Sequence, residues 1–124
     1  MEQAMPFLDP KQTVADLRAG AQVLRDNWWN IGADYNPGPG GAKYFCAFGA
    51  IRYAVGDMII GDGDHRFSCT KATQERASNA ARAFYRAQGK DIVTINDSPS
   101  STKEQMIDLL EHTADELEKD PRRA

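Results

Sequence analysis

Apolar residues near the start of the chain recur with the spacing of an amphipathic helix. They fall at three- and four-residue steps: Val14, Leu17, Ala21, Leu24 and Trp28. Asp9 is a suitable N-cap residue, and Pro10 suits the first helical position because it has no N–H to donate. The pattern therefore predicts a first helix from about Pro10 to about Asn27.

Two further helices are predicted in the second half of the chain. An alanine-rich stretch from about Lys71 to Gln88 ends at Gly89, the residue type that most often terminates a helix. The residues Ser101-Thr102-Lys103-Glu104 read as a capping box that begins another helix. That helix must stop before Pro121, which disfavours helical geometry in the residue before it.

The most apolar stretch, residues 44–55, predicts a short buried helix. Its small residues at 47, 50 and 54 would let neighbouring elements approach closely. A buried strand is the alternative, since short apolar runs are ambiguous by period alone. We favour the helix because alanine is common in this stretch and β-branched residues are few.

The linking segments predict little regular structure. Residues 30–43 contain Asn36-Pro37-Gly38-Pro39-Gly40-Gly41, which favours a long surface loop. Residues 56–70 are expected to be irregular, and residues 92–95 to be a short extended segment, with or without a partner strand. We therefore predict a mainly α fold: a single compact domain, residues 1–124, of about four helices with at most a short extended segment. Its ordered core is expected at about 9–119, with residues 120–124 frayed.

Composition and charge restrict the function classes. The 124 residues are 41% apolar and 27% charged, which is ordinary globular usage. A net charge of -3 argues against general nucleic-acid binding, and no apolar run is long enough to cross a membrane. The first residues lack the pattern of a signal peptide, and two cysteines do not form a disulfide scaffold. These features favour the cytoplasm as the location.

Two predicted helices carry charges of opposite sign. The third carries five cations over an arc of about 140°: Lys71, Arg76, Arg82, Arg86 and Lys90. The last carries five carboxylates within about 80°: Glu104, Asp108, Glu111, Asp115 and Glu118. The basic arc could bind a polyanion or an acidic partner. The acidic stripe could bind a cationic partner, and that partner could be the basic arc itself, either within the chain or across a dimer. Ordinary solvation of both faces is the alternative.

No metal site or cofactor is expected. Cys46, His65, Cys69 and His112 are the candidate zinc ligands, but they include no Cys-x-x-Cys pair and lie on unrelated segments. The run Asp62-Gly63-Asp64 resembles a fragment of a calcium loop, but no later residues complete that pattern, so a turn is expected.

Cys46 is the one candidate nucleophile. It lies near the start of a predicted helix, where the helix dipole favours a thiolate. His65, His112, Asn96 and Asp97 are candidate partners in a Cys-His-Asn or Cys-His-Asp arrangement. Because apolar residues flank Cys46 on both sides, the alternative is a buried thiol that acts as a small hydrophobic side chain.

An aromatic group surrounds the glycine-rich loop: Trp28, Trp29, Tyr35 and Tyr44. Neighbouring tryptophans on a helix point about 100° apart, so one can enter the core while the other anchors a partner or ligand at the surface. In the alternative interpretation both cap the core. Asn96 and Asp97, just before the last helix, are expected to hold the loop by hydrogen bonds.

Taken in order, these segments resemble a small family of unknown function found in bacteriophages and actinobacteria. The segments that match run from about residue 14 to 118 and are Trp28 or Trp29, residues 46–51 (Cys-Ala-Phe-Gly-Ala-Ile), Asn96-Asp97, and Thr102 with the helix after it. The family has a Cys-Ala-Leu-Gly-Ala-Leu-like helix and a Trp-Asn-Asp segment. Phe48 and Ile95 stand here where it usually has Leu and Trp. The resemblance implies a shared fold and a phage origin, but no activity.

These observations favour a non-enzymatic interaction protein that is phage-encoded and acts in the host cytoplasm. It would bind a host or virion protein, or a second copy of itself, through its charged helix faces. The candidate binding residues are Trp28, Trp29, Tyr35, Tyr44, Arg76, Arg82, Arg86, Asn96 and Asp97. A thiol-dependent hydrolase or transferase using Cys46, and a binder of nucleotides or other phosphorylated ligands, are the alternatives.

Overall fold

Five α-helices and five short β-strands make up the described part of the computed structural model, which is residues 9–61, 64–68 and 70–123. The helices are α1 Pro10–Asp26, α2 Ala47–Ala54, α3 Lys71–Gln88, α4 Ile92–Asn96 and α5 Lys103–Lys119. The strands are β1 Trp28–Trp29, β2 Tyr35–Pro37, β3 Lys43–Phe45, β4 Met58–Gly61 and β5 Asp64–Phe67.

The fold class is therefore α+β, and the prediction of a mainly α fold with at most a short extended segment is wrong. Two sheets are present among the described residues, a three-stranded one and a hairpin. Their strands are two to four residues long. Strands of this length are too short to show the alternation of apolar and polar residues from which a half-buried strand is recognised.

The three long helices agree with the sequence pattern. The side chain of Asp9 caps α1 by accepting a hydrogen bond from the Lys11 N–H. Gly89 ends α3 in the left-handed conformation, at φ 79°. Thr102 and Gln105 form the capping box of α5, one residue later than predicted. In each case a local side-chain or backbone signal fixes the helix end.

The three-stranded sheet, called sheet A below, has the order β1-β3-β2. β1 is parallel to β3, and β2 is antiparallel to it. The register places Trp28, Tyr44 and Asn36 in one row and Trp29, Phe45 and Tyr35 in the next. Successive residues of a strand point to opposite faces, so the first row forms an outer face and the second an inner face. The inner row includes Phe45, which is fully buried, and Tyr35, which is 4% exposed.

Two linking segments are regular where the sequence predicted otherwise. Residues 58–67 contain the antiparallel hairpin β4-β5 in place of an irregular segment, with Ile59 opposite Arg66. Residues 62–63, which connect the two strands in sequence, lie outside the described residues. The β-branched run at 92–95 is helical, because Asp91 caps α4 by accepting from the N–H groups of Val93 and Thr94. The cap overrides the strand propensity of these residues.

The core lies around α1, which packs against α5, α2 and α3. The largest fully buried side chains come from all these helices and from β3: Leu17, Leu24, Phe45, Ile51, Phe84, Met106 and Leu110. At the crossing of α1 and α2, a Cβ atom added to Gly20 would lie 2.7 Å from the Cγ1 of Ile51. The glycine therefore sets how closely these two helices approach.

Candidate functional site

The Asn96 side chain, at the end of α4, connects three segments of the chain. Its Oδ1 accepts hydrogen bonds from the Trp29 Nε1 at 2.7 Å and from the Ala47 N–H at 2.9 Å. Its Nδ2 donates to the carbonyl of Asn30 at 3.1 Å and to the Asp97 Oδ1 at 3.0 Å. Asn96 is fully buried, and these four bonds use both donors and two acceptor positions of its amide. Asn96 therefore has a structural role.

The loop between β1 and β2 is held from several sides. The Gly32 N–H donates to the Asp97 carboxylate at 3.1 Å. On the other side of β1, before the strand begins, the Lys103 Nζ donates to the Asn27 carbonyl at 2.6 Å. Within the loop, the Asn30 amide donates to the Ala33 carbonyl at 2.8 Å. The prediction that Asn96 and Asp97 hold this loop by hydrogen bonds is confirmed.

The outer face of sheet A presents an aromatic stack. The rings of Trp28 and Tyr44 lie 6.0 Å apart between centroids, with an interplanar angle of 25°. Tyr44 also lies against Gly38 of the glycine-rich loop, where any Cβ atom would clash with its ring. Trp28 is 57% exposed. We call Trp28 and Tyr44 the aromatic end of sheet A.

The two tryptophans point in different directions, but not because they are helical. The first helix ends at Asp26, and both tryptophans lie in β1, where consecutive side chains alternate. Trp28 therefore faces outward, whereas Trp29 faces inward to Asn96. Tyr35 is on the inner face, packed 5.5 Å from Phe45 and 5.4 Å from His65 between ring centroids. The predicted aromatic group is thus divided between a surface pair and an inner, supporting set.

Cys46 is the N-cap of α2 and is 3% exposed. Its Sγ accepts from the Gly49 N–H at 3.2 Å, and the thiol donates to the Asp34 carboxylate at 3.7 Å. The pKa of Cys46 is raised to about 11; burial is the largest cause, the Asp34 charge acts in the same direction, and the Gly49 N–H opposes both. The thiol is therefore protonated at neutral pH, whereas a nucleophile requires the thiolate.

The two histidines are not arranged as partners of Cys46. His65 packs between the rings of Tyr35 and Phe67, and His112 lies exposed on α5. Among the described residues, the side-chain hydrogen bond that the Cys46 thiol donates goes to Asp34 and not to a histidine. Asp97 accepts from Gly32 and Asn96. No Cys-His-Asp arrangement is assembled in this part of the chain.

An ionic network around Arg52 was not predicted from the sequence. The Arg52 guanidinium contacts the Asp34 carboxylate at 3.0 Å and the Asp57 carboxylate at 2.8 Å, and lies 3.6 Å from the centroid of the Phe67 ring. Asp57 is 1% exposed and also accepts from the Thr73 hydroxyl at 3.1 Å. The network joins the loop, α2, the hairpin and α3. These residues are isolated in the sequence and share no spacing, so no local signal marks them.

The acidic stripe of α5 is paired with α1. Arg18 contacts Glu111 at 2.8 Å, and Asp115 and Glu118 each at 3.0 Å, while Arg25 contacts Glu111 at 3.0 Å. The hydrogen bond with Asp115 contributes most to raising the pKa of Arg18. Within the chain, these three carboxylates are therefore paired with α1 and not with the basic arc of α3. The sequence could not show it, because which faces meet depends on helix packing.

The cations in the basic arc of α3 do not all have the same role. Arg76 contacts the Asp16 carboxylate at 2.7 Å, and this hydrogen bond raises its pKa. Asp16 is 3% exposed, so Arg76 is committed to compensating a buried charge of α1. Arg82 and Arg86 lie exposed on the C-terminal half of α3. Arg76 therefore does not belong to the same surface as the other two.

Among the described residues, no group of three or more His, Cys, Asp or Glu side chains is placed to hold a metal ion. Cys69, one of the candidate ligands, and Asp62-Gly63 of the expected turn lie outside the described residues. In the described ranges, no helix is long and apolar enough to cross a membrane.

A family model described as a family of unknown function, DUF6197, matches residues 9–116. The chain belongs to this family. The match includes both sheets, Asn96 and the ionic network of Arg52, so the geometry described above lies within the family's domain. The match thereby confirms the resemblance to a family of unknown function. No curated protein and no solved structure matches the chain.

Proposed function

We propose that this DUF6197 chain is a non-enzymatic interaction protein that binds another protein through the aromatic end of sheet A. The observation that carries the proposal is the exposure of Trp28, 57%, on a strand whose neighbouring loop is fixed by hydrogen bonds. Tryptophan and tyrosine are enriched among the residues that contribute most to protein–protein binding.

The ring stack has one open end. Gly38 lies against Tyr44, and Tyr44 lies against Trp28, which is at an edge of the sheet because β1 is one of its two edge strands. An apolar side chain of a partner would continue the stack on Trp28. Burial of a large aromatic side chain in this way removes much apolar surface from water.

The backbone around Trp28 is already ordered before a partner binds. Three contacts from elsewhere in the fold, made by Asn96, Asp97 and Lys103, fix the backbone on either side of Trp28. A loop that is already ordered loses little conformational entropy when a partner binds.

The catalytic alternative has less support. A thiol with its pKa raised to about 11 is a poor nucleophile at neutral pH. Asn96 and Asp97 are engaged in holding the loop, and His65 is packed between aromatic rings. Of the arginines that could bind a phosphorylated ligand in the nucleotide-binding alternative, Arg76 contacts the buried Asp16 instead.

On the resemblance to bacteriophage and actinobacterial proteins, we further propose that the chain is phage-encoded. Its partner would then be a host or virion protein met in the host cytoplasm. The interaction rests on aromatic contacts rather than on the acidic stripe, because three of that stripe's five carboxylates are already paired with Arg18 or Arg25.

The proposal can be tested with Trp28→Ala and a matched control, Ile59→Ala. Ile59 is an exposed apolar residue, 41%, on the other sheet. Each variant is used as bait in an extract of the source cells. A protein that is captured by the wild type and by Ile59→Ala, but not by Trp28→Ala, is then purified and titrated against each variant. We expect Trp28→Ala to weaken the purified pair by about tenfold or more, and Ile59→Ala by less than about twofold.

Two results would overturn this function. One is a purified partner that binds the wild type and Trp28→Ala equally well. The other is sedimentation velocity showing a dimer that dissociates on Trp28→Ala, since the aromatic end would then join two copies of the chain rather than a foreign protein.

A further inference from the structure

Asn79, on α3, is buried, and its side chain forms no hydrogen bond within the described part of the chain. Six polar residues are buried there: Thr13, Asp16, Asp57, Asn79, Asn96 and Thr113. The other five all form side-chain hydrogen bonds. Asn79 is 6% exposed. A buried amide without partners costs folding free energy and is rare in native proteins, so this residue needs a reason.

The Asn79 amide borders an open cleft. Among the described residues, every fully buried side-chain nitrogen or oxygen has a hydrogen-bond partner. Since the Asn79 amide has none, its polar atoms reach open space. The space that Asn79 lines is a cleft of about 460 Å³ between the N-terminal halves of α1 and α3, which we call the α1–α3 cleft. Its volume is in the range of small-molecule sites, roughly 300–1,000 Å³.

Neighbouring side chains of the cleft are held by hydrogen bonds within the fold. Arg76 donates twice to the Asp16 carboxylate, at 3.1 and 2.7 Å, and Gln12 donates to the same carboxylate at 3.0 Å. Both Arg76 and Gln12 line the cleft beside Asn79. The Asn79 amide therefore keeps its hydrogen-bonding capacity in a site whose walls are already fixed, which limits the entropy lost when a ligand binds.

The charges that line the cleft balance, so they select neither an anion nor a cation. Two are positive and two are negative: Lys71, Arg76, Asp9 and Glu75. The Asn79 amide offers an acceptor and a donor side by side, and it can pair with a planar group that presents an N–H next to an acceptor. Asparagine binds the N6 and N7 atoms of adenine in this way, and a carboxamide presents a similar edge.

We infer that the α1–α3 cleft binds a neutral, planar small molecule through paired hydrogen bonds with the Asn79 amide. The edge that it recognises is an N–H donor next to an acceptor, as in a nucleobase or a carboxamide. The inference does not depend on the aromatic end of sheet A, which is built from β1 and β3. It also needs neither a free cation of α3 nor an anionic partner.

The experiment follows the side-chain NH2 signals of Asn79 by proton–nitrogen NMR of the full chain, assigned by their absence in Asn79→Ala. The probes are 9-methyladenine and benzamide, each with a matched compound that lacks the N–H donor, 9-methylpurine and methyl benzoate. We expect saturable shifts with a dissociation constant of about 1 mM for at least one probe. Its matched compound should bind about fivefold more weakly or less well still, because it leaves the Asn79 oxygen unpaired.

The two probes distinguish the sources of this chemistry. Shifts with 9-methyladenine alone would assign a nucleobase, and shifts with benzamide alone would assign a carboxamide. Shifts with both would support the shared edge as the feature that is recognised.

Variants separate a binding role of Asn79 from a structural one, with affinity measured from the backbone N–H signals of α3. Asn79→Ala should weaken binding by about tenfold or more. Its melting temperature should fall by less than about 4 °C, because no hydrogen bond within the described chain is broken. Ala72→Leu keeps the amide but fills the cleft, which Ala72 lines, and should weaken binding by several-fold. The control, Gln74→Ala, changes an exposed amide of α3 outside the cleft and should alter affinity by less than about twofold.

Four results would overturn the inference. One is that neither probe shifts the Asn79 signals, and another is that Asn79→Ala or Ala72→Leu binds as tightly as the wild type. The third is slow exchange of the Asn79 NH2 protons with water in the free protein, since the amide would then already have a partner. The fourth is a large fall in the melting temperature of Asn79→Ala, which would make the amide a structural group.

Discussion

The Oδ1 of Asn96 lies 2.7 Å from the Nε1 of Trp29, although the two residues are 67 positions apart in the chain. This bond links the end of α4 to β1. The same oxygen also accepts from the first N–H of α2, that of Ala47. One buried amide thus fixes the strand on which Trp28 is exposed.

Replacement of Asn96 by alanine should destabilise the protein strongly. The change leaves the Trp29 Nε1 and the Ala47 N–H without their acceptor, and each buried donor left unpaired costs about 1–3 kcal/mol. We expect the free energy of unfolding in urea to fall by about 3–4 kcal/mol. Asn36→Ala, at an exposed amide with one hydrogen bond at 3.2 Å, is the control and should cost less than about 1 kcal/mol. Similar losses in both variants would contradict the central role of Asn96.

Gly49→Ala should destabilise the protein even though alanine is the better helix former. A Cβ atom at this position would clash with the backbone carbonyl of Asp34, which cannot rotate away as a side chain could. We expect a loss of more than about 2 kcal/mol in thermal or urea unfolding, against a propensity gain of about 1 kcal/mol. Gly61→Ala, where no atom lies within 4 Å of the added Cβ, should be close to neutral. A stable Gly49→Ala protein would show that the loop does not approach α2 this closely.

Cys46 should react slowly while the protein is folded and should make stability depend on alkaline pH. The folded-state pKa, about 11, lies above the ordinary value of 9.0. Its contribution to stability is therefore complete below pH 9 and is lost as the pH rises towards 11, because the unfolded thiol ionises first. We expect a loss of about 2–3 kcal/mol over that range, reduced in Cys46→Ser, whose hydroxyl can still cap α2.

The measurement is iodoacetamide labelling, read by mass spectrometry of the peptide that contains Cys46. At pH 7 the folded protein should label much more slowly than the urea-unfolded chain. Labelling of folded Cys46 at least as fast as in the unfolded chain would refute the burial and would restore the thiol-dependent alternative.

Arg18→Ala should destabilise the protein in a salt-dependent manner. The change removes the cation shared by Glu111, Asp115 and Glu118 and leaves three like charges on one face of α5. Since the Arg18 side chain is 36% exposed, solvent screening limits the expected loss to about 1 kcal/mol at low salt. Sodium chloride should narrow the difference from the wild type in urea unfolding, because it screens the repulsion. Arg66→Ala is the control, and a loss that salt does not change would contradict the electrostatic explanation.

The long helices could be predicted because their signals are local. The apolar spacing of α1 and the glycine after α3 act within a few residues, and the structure reproduces both. The hydrogen-bonding role of Asn96 and Asp97 was also accessible, since short polar side chains before a helix favour such contacts. Sheet A was missed because its parallel pair joins Trp28 to Tyr44, a contact between residues far apart in sequence.

The sequence by itself determined the three long helices, their caps and the presence of opposite charge stripes, since each depends on residues within one or two helical turns. Only the tertiary structure decided which charges meet, that Trp28 faces outward while Trp29 faces Asn96, and that Cys46 is buried beside Asp34. Those outcomes depend on contacts between distant segments, whose geometry is set by packing around α1 and not by the local order of residues.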